Sequence, residues 1–400
     1  MWRPADVGAN HDAYFSALNR LLHEDGPGHP VMLIDRARMD RNVDRLRASV
    51  GPDKTYRIVV KSLPSVPLLR HVMARANTNA LMVFHRPFLN EIATAFPTAD
   101  VLVGKPMPVR AAEMFYKQLG DTPFDASRQL QWLVDSAERL AQYQALARRL
   151  GVKMRVNLEI DVGLHRGGFW EPEAIDPVLA TILADAARLE FAGFMGYEPH
   201  LTGAESVSDA AVVDVLRRYA AFVERAHSID AAIDSSKLTL NGAGSHTLAL
   251  YETDRTMNDL SAGSGVVKPT DFDTAHLATH EPALFIATPV LKRYDELKAP
   301  GDPWIANVLP LWNPNLARLH FIYGGYWKAR YESPRGIAEP LYHSTNQEPL
   351  STSASVDLAV DDYVFLRPTQ SEHVMLQFGD LLVVDQNVIV DRWPVFQQTG

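Results

Sequence analysis

One rhythm in the sequence limits the fold more than any single residue does. Between residues 36 and 265, short apolar, β-branched runs alternate about eight times with longer amphipathic segments. The runs are YRIVV (56–60), ALMVF (80–84), DVLVG (100–104), LQWLV (130–134), MRVNLEI (154–160), EFAGFMG (190–196), KLTLNG (237–242) and a weaker stretch at 257–263. Intervening segments carry helical spacing: within 137–150, Leu140, Tyr143, Leu146 and Leu150 fall on one face, and 206–228 shows a similar stripe. Apolar strands separated by amphipathic helices imply a parallel sheet covered by helices. Eight such units fit a closed (β/α)8 barrel. A doubly wound open sheet also fits the alternation, but no G-x-G-x-x-G follows the first strand, so it ranks second.

After residue 280 the texture changes. ALFIATPVL, ARLHFIYGG, DYVFLRP, HVMLQF, LLVVD and VIVDRWPVF follow one another without helical stretches, which predicts an antiparallel β domain. VMLID at 31–35 precedes the first helix and could pair into that domain. The expected layout is an α/β chain: a TIM-type (β/α)8 barrel over 36–267, and a C-terminal antiparallel β domain (268–400) joined by the N-terminal segment 1–35.

Composition removes several classes. A net charge of −9 argues against a nucleic-acid-binding surface. With no cysteine, disulfides and thiolate metal sites are impossible. The stretch MWRPADVGANHD lacks the apolar run of a signal peptide, and no segment approaches the roughly 20 apolar residues that span a bilayer. A cytoplasmic location without membrane contact is the expectation.

Barrel enzymes build their active sites at the C-terminal ends of the strands, and several chemistry-bearing residues fall there. Lys61 follows YRIVV directly. Beside apolar residues a lysine can act as a nucleophilic amine, although a solvated strand-end lysine is the plain alternative. NGAGSHT (241–247) supplies Gly242, Gly244 and Ser245, small residues that let backbone N–H groups approach a phosphate. Taken alone, it could be an ordinary tight turn. SAGSG (261–265), with Gly263 and Ser264, repeats the feature at the next strand end, where such barrels commonly bind phosphate. Arg166, in EIDVGLHRGGF, offers fixed donors for an anionic oxygen or a surface salt bridge. GYEPHL places Tyr197 and His200 at another strand end, where an aromatic ring could stack on a flat cofactor or simply pack at the rim.

Jointly these segments resemble the D-threonine aldolase and D-serine dehydratase family, relatives of alanine racemase among the fold type III pyridoxal 5'-phosphate (PLP) enzymes. The resemblance covers roughly residues 30–400. VMLIDRARMDRNVDRL is similar to the family's opening, and RIVVKSLPS to the segment carrying the Schiff-base lysine, which implies that role for Lys61. EIDVGLHRGG resembles the Asp-x-Gly-x-x-Arg-x-Gly loop, implying that Arg166 lies beside the cofactor's phenolic oxygen. GYEPHL is similar to the Tyr-x-Gly-His stretch, NGAGSHT to the phosphate loop, SAGSGVVKPTDFD to the Pro-Gly-Ser-Tyr segment, and FIYGGYWKA to an Asp-x-Gly-x-Lys stretch of the β domain. The resemblance also implies a homodimer acting on a small amino acid.

One segment departs from the family. Many members bind a divalent metal through Pro-Asn-His-x-Cys, or Asp in place of the Cys. This chain has RPTQSEHVMLQFGD (367–380), so His373 takes the histidine position and Met375 the second ligand position. A thioether does not suit Mn²⁺ or Zn²⁺, which leaves the metal open. Glu372 and His373 could instead supply acid–base groups directly. The expected activity is a PLP-dependent lyase acting on a β-hydroxy-D-amino acid, as an aldolase or a dehydratase. A PLP-dependent racemase is the alternative, with Tyr323, Tyr326 and Tyr342 as candidates for its second acid–base group. A non-catalytic PLP-binding protein is a third possibility, opposed by about 120 residues of additional β structure.

Overall fold

The computed structural model describes residues 3–203, 206, 208–298, 303–340 and 342–397. Two compact units emerge. One comprises 40–266, 272–280 and 396–400; the other comprises 1–39, 267–271 and 281–395.

The first unit is a closed barrel of eight parallel strands. With β1 assigned to Val31–Asp35 of the other unit, the barrel strands are β2 (Thr55–Val59), β3 (Ala80–Val83), β4 (Asp100–Val103), β5 (Leu130–Val134), β6 (Met154–Glu159), β7 (Leu189–Met195), β8 (Thr239–Gly242) and β9 (Asp259–Ala262). Each predicted run becomes one strand. Helices connect most neighbours, and their faces follow the sequence stripes. In Ala137–Leu150 the buried side is Leu140, Tyr143, Leu146 and Ala147, while Leu150 is only half-buried. Ala210–Ile229 buries Val212, Val215, Tyr219, Phe222 and Ala226. Between β8 and β9 only a short 3-10 turn, Leu248–Tyr251, intervenes.

Closure occurs where β9 pairs with β2, Thr55 opposite Asp259 and Ile58 opposite Ala262. A buried guanidinium fastens that seam. Arg57 donates from Nε and from an Nη to the two carboxylate oxygens of Asp259 at 2.9 and 2.7 Å. It also reaches the Asp100 carboxylate at 2.8 Å and the Leu81 carbonyl at 3.0 Å. Burial alone would disfavour the charge on Arg57; the two aspartates outweigh it and hold the group ionised.

The second unit is an eight-stranded mixed sheet. Its strands are β1, β10 (Leu284–Tyr294), β11 (Arg318–Tyr323), β12 (Ala329–Ser333), β13 (Gln347–Thr352), β14 (Tyr363–Pro368), β15 (Asp380–Asp385) and β16 (Val388–Pro394). VMLID does enter this sheet, antiparallel to β10 but parallel to β15. The sheet is therefore antiparallel except at that one pair. Helix Ala13–Asp25, capped by Asp12, buries Phe15, Leu18, Leu21 and Leu22 against Phe285, Phe365 and Leu382.

Two expectations need correction here. A helix, Pro303–Trp312, interrupts the β region. HVMLQF is not a strand but a short helix, Glu372–Met375, followed by a 3-10 turn, Leu376–Phe378. Ser371, Val374 and Met375 are buried and Phe378 half-buried, a spacing of i, i+3, i+4 and i+7 that belongs to a helix rather than to an alternating strand. No helix among the described residues is long and apolar enough to cross a membrane.

The buried seam generates a prediction. Arg57→Ala strips the buried Asp259 carboxylate of its charged partner and should destabilise the protein by about 3–5 kcal/mol in urea unfolding. A loss below about 1 kcal/mol would mean that the ion cluster does not hold the barrel closed.

Candidate active site

β2 runs into a 3-10 turn, Val60–Ser62, so Lys61 stands half-buried at the C-terminal rim of the barrel. Its Nζ lies 4.8 Å from the centroid of the Phe84 ring, which follows β3. Met82, Leu102, Leu133 and Met195 form a buried cluster with Val59, Phe84 and Tyr197 packed against it. The lysine thus has an apolar neighbourhood on the side of the barrel interior.

Because β9 pairs with β2, the loop after β9 rises directly beside Lys61. Ser264 Oγ donates to Ser62 Oγ at 3.0 Å, and both side chains are buried. Close approach requires glycine here: a Cβ on Gly263 would lie 2.8 Å from Val59 Cβ and 2.9 Å from Ser62 Cβ. The loop after β8 closes the other side. Ser245 Oγ accepts the backbone N–H groups of Gly263 and Gly265 at 3.2 and 3.0 Å. A hydroxyl has two acceptor lone pairs and one proton. With both lone pairs engaged, the Ser245 hydroxyl can offer only its proton, which makes it a donor to an anion.

Tyr197 follows β7, and its ring packs so near Gly244 that a Cβ there would lie 3.0 Å from Cε2. The Arg166 guanidinium sits over the same ring, 5.1 Å from its centroid, and 3.9 Å from Glu159. Arg166 comes from a loop held by Asp161, whose carboxylate accepts the N–H groups of Gly163 and His165 at 2.9 and 3.0 Å and contacts the His165 imidazole at 3.2 Å. Burial raises the Asp161 carboxyl, but these bonds prevail and hold it below its ordinary range. Burial pushes the Glu159 carboxyl up, with Arg166 opposing. His200 is exposed, near Gly163; desolvation and then His165 depress its imidazole, with Asp161 opposing, which favours the neutral form.

Glu198, one residue beyond Tyr197, is only 1% exposed. Its Oε1 accepts the Thr247 hydroxyl at 2.8 Å, and Thr247 Oγ1 in turn accepts the Gly244 N–H at 3.0 Å. Burial pushes this carboxyl up to about 7, opposed by Thr247, by the Ala243 N–H and by Tyr251.

Lys61, Ser264, Gly263, Ser245, Gly244, Tyr197 and Arg166 therefore form one run of neighbouring contacts along the rim. Gly242 is buried at the end of β8, against Met257. His200 lies at the edge of the same group. His373 belongs to the other unit, exposed on the short helix Glu372–Met375, with Met375 buried. Among the described residues, no group of three or more His, Asp or Glu side chains is arranged to hold a metal ion. Sequence reasoning missed Ser62, Phe84, Glu159 and Glu198. Only Glu198 carried a usable signal, a carboxyl placed between a strand-end tyrosine and a proline.

Residues 34–267 match the family model of the alanine racemase N-terminal domain. The chain belongs to this family. Among solved structures, D-threonine aldolase from Filomicrobium marinum is similar with a TM-score of 0.73 at 16% identity, covering 99% of this chain and 98% of that one. D-threo-3-hydroxyaspartate dehydratase from Delftia sp. HT23 is similar with a TM-score of 0.70 at 16% identity, covering 92% and 98%. Alanine racemase from Clostridium difficile 630 gives 0.67 at 16% identity, covering 91% and 98%. No curated protein matches the sequence. These likenesses establish an alanine racemase-like barrel with a β domain and leave the individual activity open.

For this alanine racemase-family barrel, the buried Glu198 predicts a pH effect. Its carboxyl titrates near 4.5 when exposed and near 7 when folded. Between those values the folded state holds the proton more tightly, so stability falls as pH rises through the window. Wild-type stability should therefore drop relative to Glu198→Gln from about pH 4.5 to about pH 7, by up to about 3 kcal/mol. Parallel urea-stability curves for the two proteins would contradict the assignment.

Proposed function

We propose that this protein is a PLP-dependent lyase acting on a β-hydroxy-D-amino acid, with Lys61 as the cofactor lysine. The observation that carries the proposal is the hydrogen bond from Ser264, in the small-residue cup after β9, to Ser62, the residue next to Lys61. The bond brings the segment carrying the Lys61 amine and the small-residue loop together on one edge of the barrel, which supports a site for an aldehyde that also bears an anionic group. The residues fit the cofactor: Ser245 Oγ is committed to donation, Gly263 and Gly244 leave backbone open to close approach, and Tyr197 and Arg166 flank the same edge. Ser245, Gly263 and Ser264 would hold the phosphate, Lys61 the carbonyl carbon, and Arg166 the phenolic oxygen.

When bound, PLP supplies an electron sink for negative charge at the substrate Cα. The protein's own groups decide which bond breaks. Lys61 Nζ, freed by the incoming amine, is the group that takes or returns the proton at Cα. The apolar cluster under Phe84 and Tyr197 limits water on that side. Loss of the β-hydroxyl proton leads to Cα–Cβ cleavage, giving an aldehyde and a smaller amino acid. Loss of the Cα proton with expulsion of the hydroxyl leads, after water addition, to a keto acid and ammonia. A histidine is the base proposed for the hydroxyl proton, and His200 is kept neutral enough to serve on the barrel rim. A divalent metal does not fit the residues present, because Met375 stands where a hard ligand is needed and is buried.

Two structural neighbours, the aldolase and the dehydratase, support the lyase reading with nearly full coverage. The neighbouring alanine racemase and the methionine at the metal position favour racemisation as a second reading. The family resemblance also supports a homodimer in solution.

Incubation with PLP and D-threonine or D-serine, with Mn²⁺ or with EDTA, should give products identifiable by mass spectrometry. Glycine plus acetaldehyde marks an aldolase; 2-oxobutanoate or pyruvate with ammonia marks a dehydratase. Activity should survive EDTA, and Lys61→Ala should lower turnover by about a hundredfold or more. Turnover of neither amino acid, with deuterium entering Cα and optical rotation lost, would replace the lyase by a racemase.

A further inference from the structure

The cup after β8 needs something to hold its shape. Ala243 has φ of +68°, a left-handed conformation unfavourable for a residue with a Cβ. Such a turn persists only when its surroundings fix it. Glu198 does so through the Thr247 hydroxyl, which it accepts at 2.8 Å. Thr247 passes the constraint on by accepting the Gly244 N–H. Ser245, between Gly244 and Thr247, then presents its hydroxyl to the loop after β9. Thus a fully buried carboxyl that takes no part in the chemistry proposed above holds, through Thr247, both Thr247 and Gly244 of the segment meant for the phosphate.

We propose that Glu198, through Thr247, is a positioning residue that sets the barrel's preference for a phosphorylated cofactor over its phosphate-free analogue. This rests on the PLP reading of the site. A residue that merely stabilised the fold would weaken both ligands alike. A residue that shapes the phosphate loop weakens PLP selectively and leaves pyridoxal, which keeps the ring, the aldehyde and the phenolic oxygen but has no phosphate, nearly unchanged.

The test is an equilibrium titration of the full chain with PLP and, separately, with pyridoxal. Binding is followed by visible absorbance, and the attachment site is checked by borohydride reduction and peptide mass spectrometry. Thr247→Val keeps the side-chain shape and removes the hydroxyl; Glu198→Ala removes the carboxyl; Glu198→Gln retains an acceptor oxygen for Thr247. The expected result is that the ratio of PLP to pyridoxal affinity falls about tenfold or more in Thr247→Val and Glu198→Ala, as for a lost buried hydrogen bond, and recovers in Glu198→Gln. If Glu198→Ala does not fold, Thr247→Val decides alone. Folded Thr247→Val with the wild-type ratio overturns the proposal. A wild-type protein that attaches neither compound at Lys61 overturns the PLP reading itself, and this proposal with it.

Discussion

The bidentate pair between Arg57 and Asp259 is the contact on which the barrel's chemistry depends. It joins β2, which leads into Lys61, to β9, which leads into Gly263 and Ser264. Through Leu81 and Asp100 the same guanidinium reaches β3 and β4. A charge this deep is tolerable only with its partners in place, so the network specifies one register at the closing seam. A slip of one residue would turn inward-facing side chains outward and carry the cup away from the lysine.

Everything above the seam follows from small residues and satisfied hydrogen bonds. Gly263 allows the backbone to touch Val59 and Ser62, and the hydroxyls of Ser62, Ser245 and Ser264 link three loops from neighbouring strands. Charge is distributed unevenly around this edge. Arg166 reaches out over Tyr197, while the carboxyls of Glu159 and Glu198 are buried and biased toward their neutral forms. An edge with the Arg166 guanidinium and hydroxyl and backbone donors outermost suits an anionic ligand.

Much of this architecture was legible in the sequence because the barrel strands are continuous apolar runs, buried on both faces and separated by helices with clear stripes. Lys61, Arg166, Tyr197 and the two glycine-rich loops could be placed at strand ends for the same reason. The β unit was harder. Helix Ala13–Asp25 carries an Asp12 cap and a periodic Phe15–Leu18–Leu22 face, but it is one isolated helix with no repeating partner to mark it. HVMLQF reads as a strand because apolar content alone does not distinguish period 2 from period 3.6 over six residues, yet it folds as a short helix. The role of Glu198 depends on Thr247, 49 positions away, and no local pattern announces such a pairing. The parallel contact between β1 and β15 is equally non-local.

The proposed attachment of the cofactor to Lys61 is open to a direct chemical test. Reduction of the PLP-treated protein with borohydride, followed by proteolysis and mass spectrometry, tests it most directly. A phosphopyridoxyl group on the peptide containing Lys61, absent from Lys61→Ala, is the predicted result. Label spread over surface lysines, or unchanged in Lys61→Ala, would contradict the account.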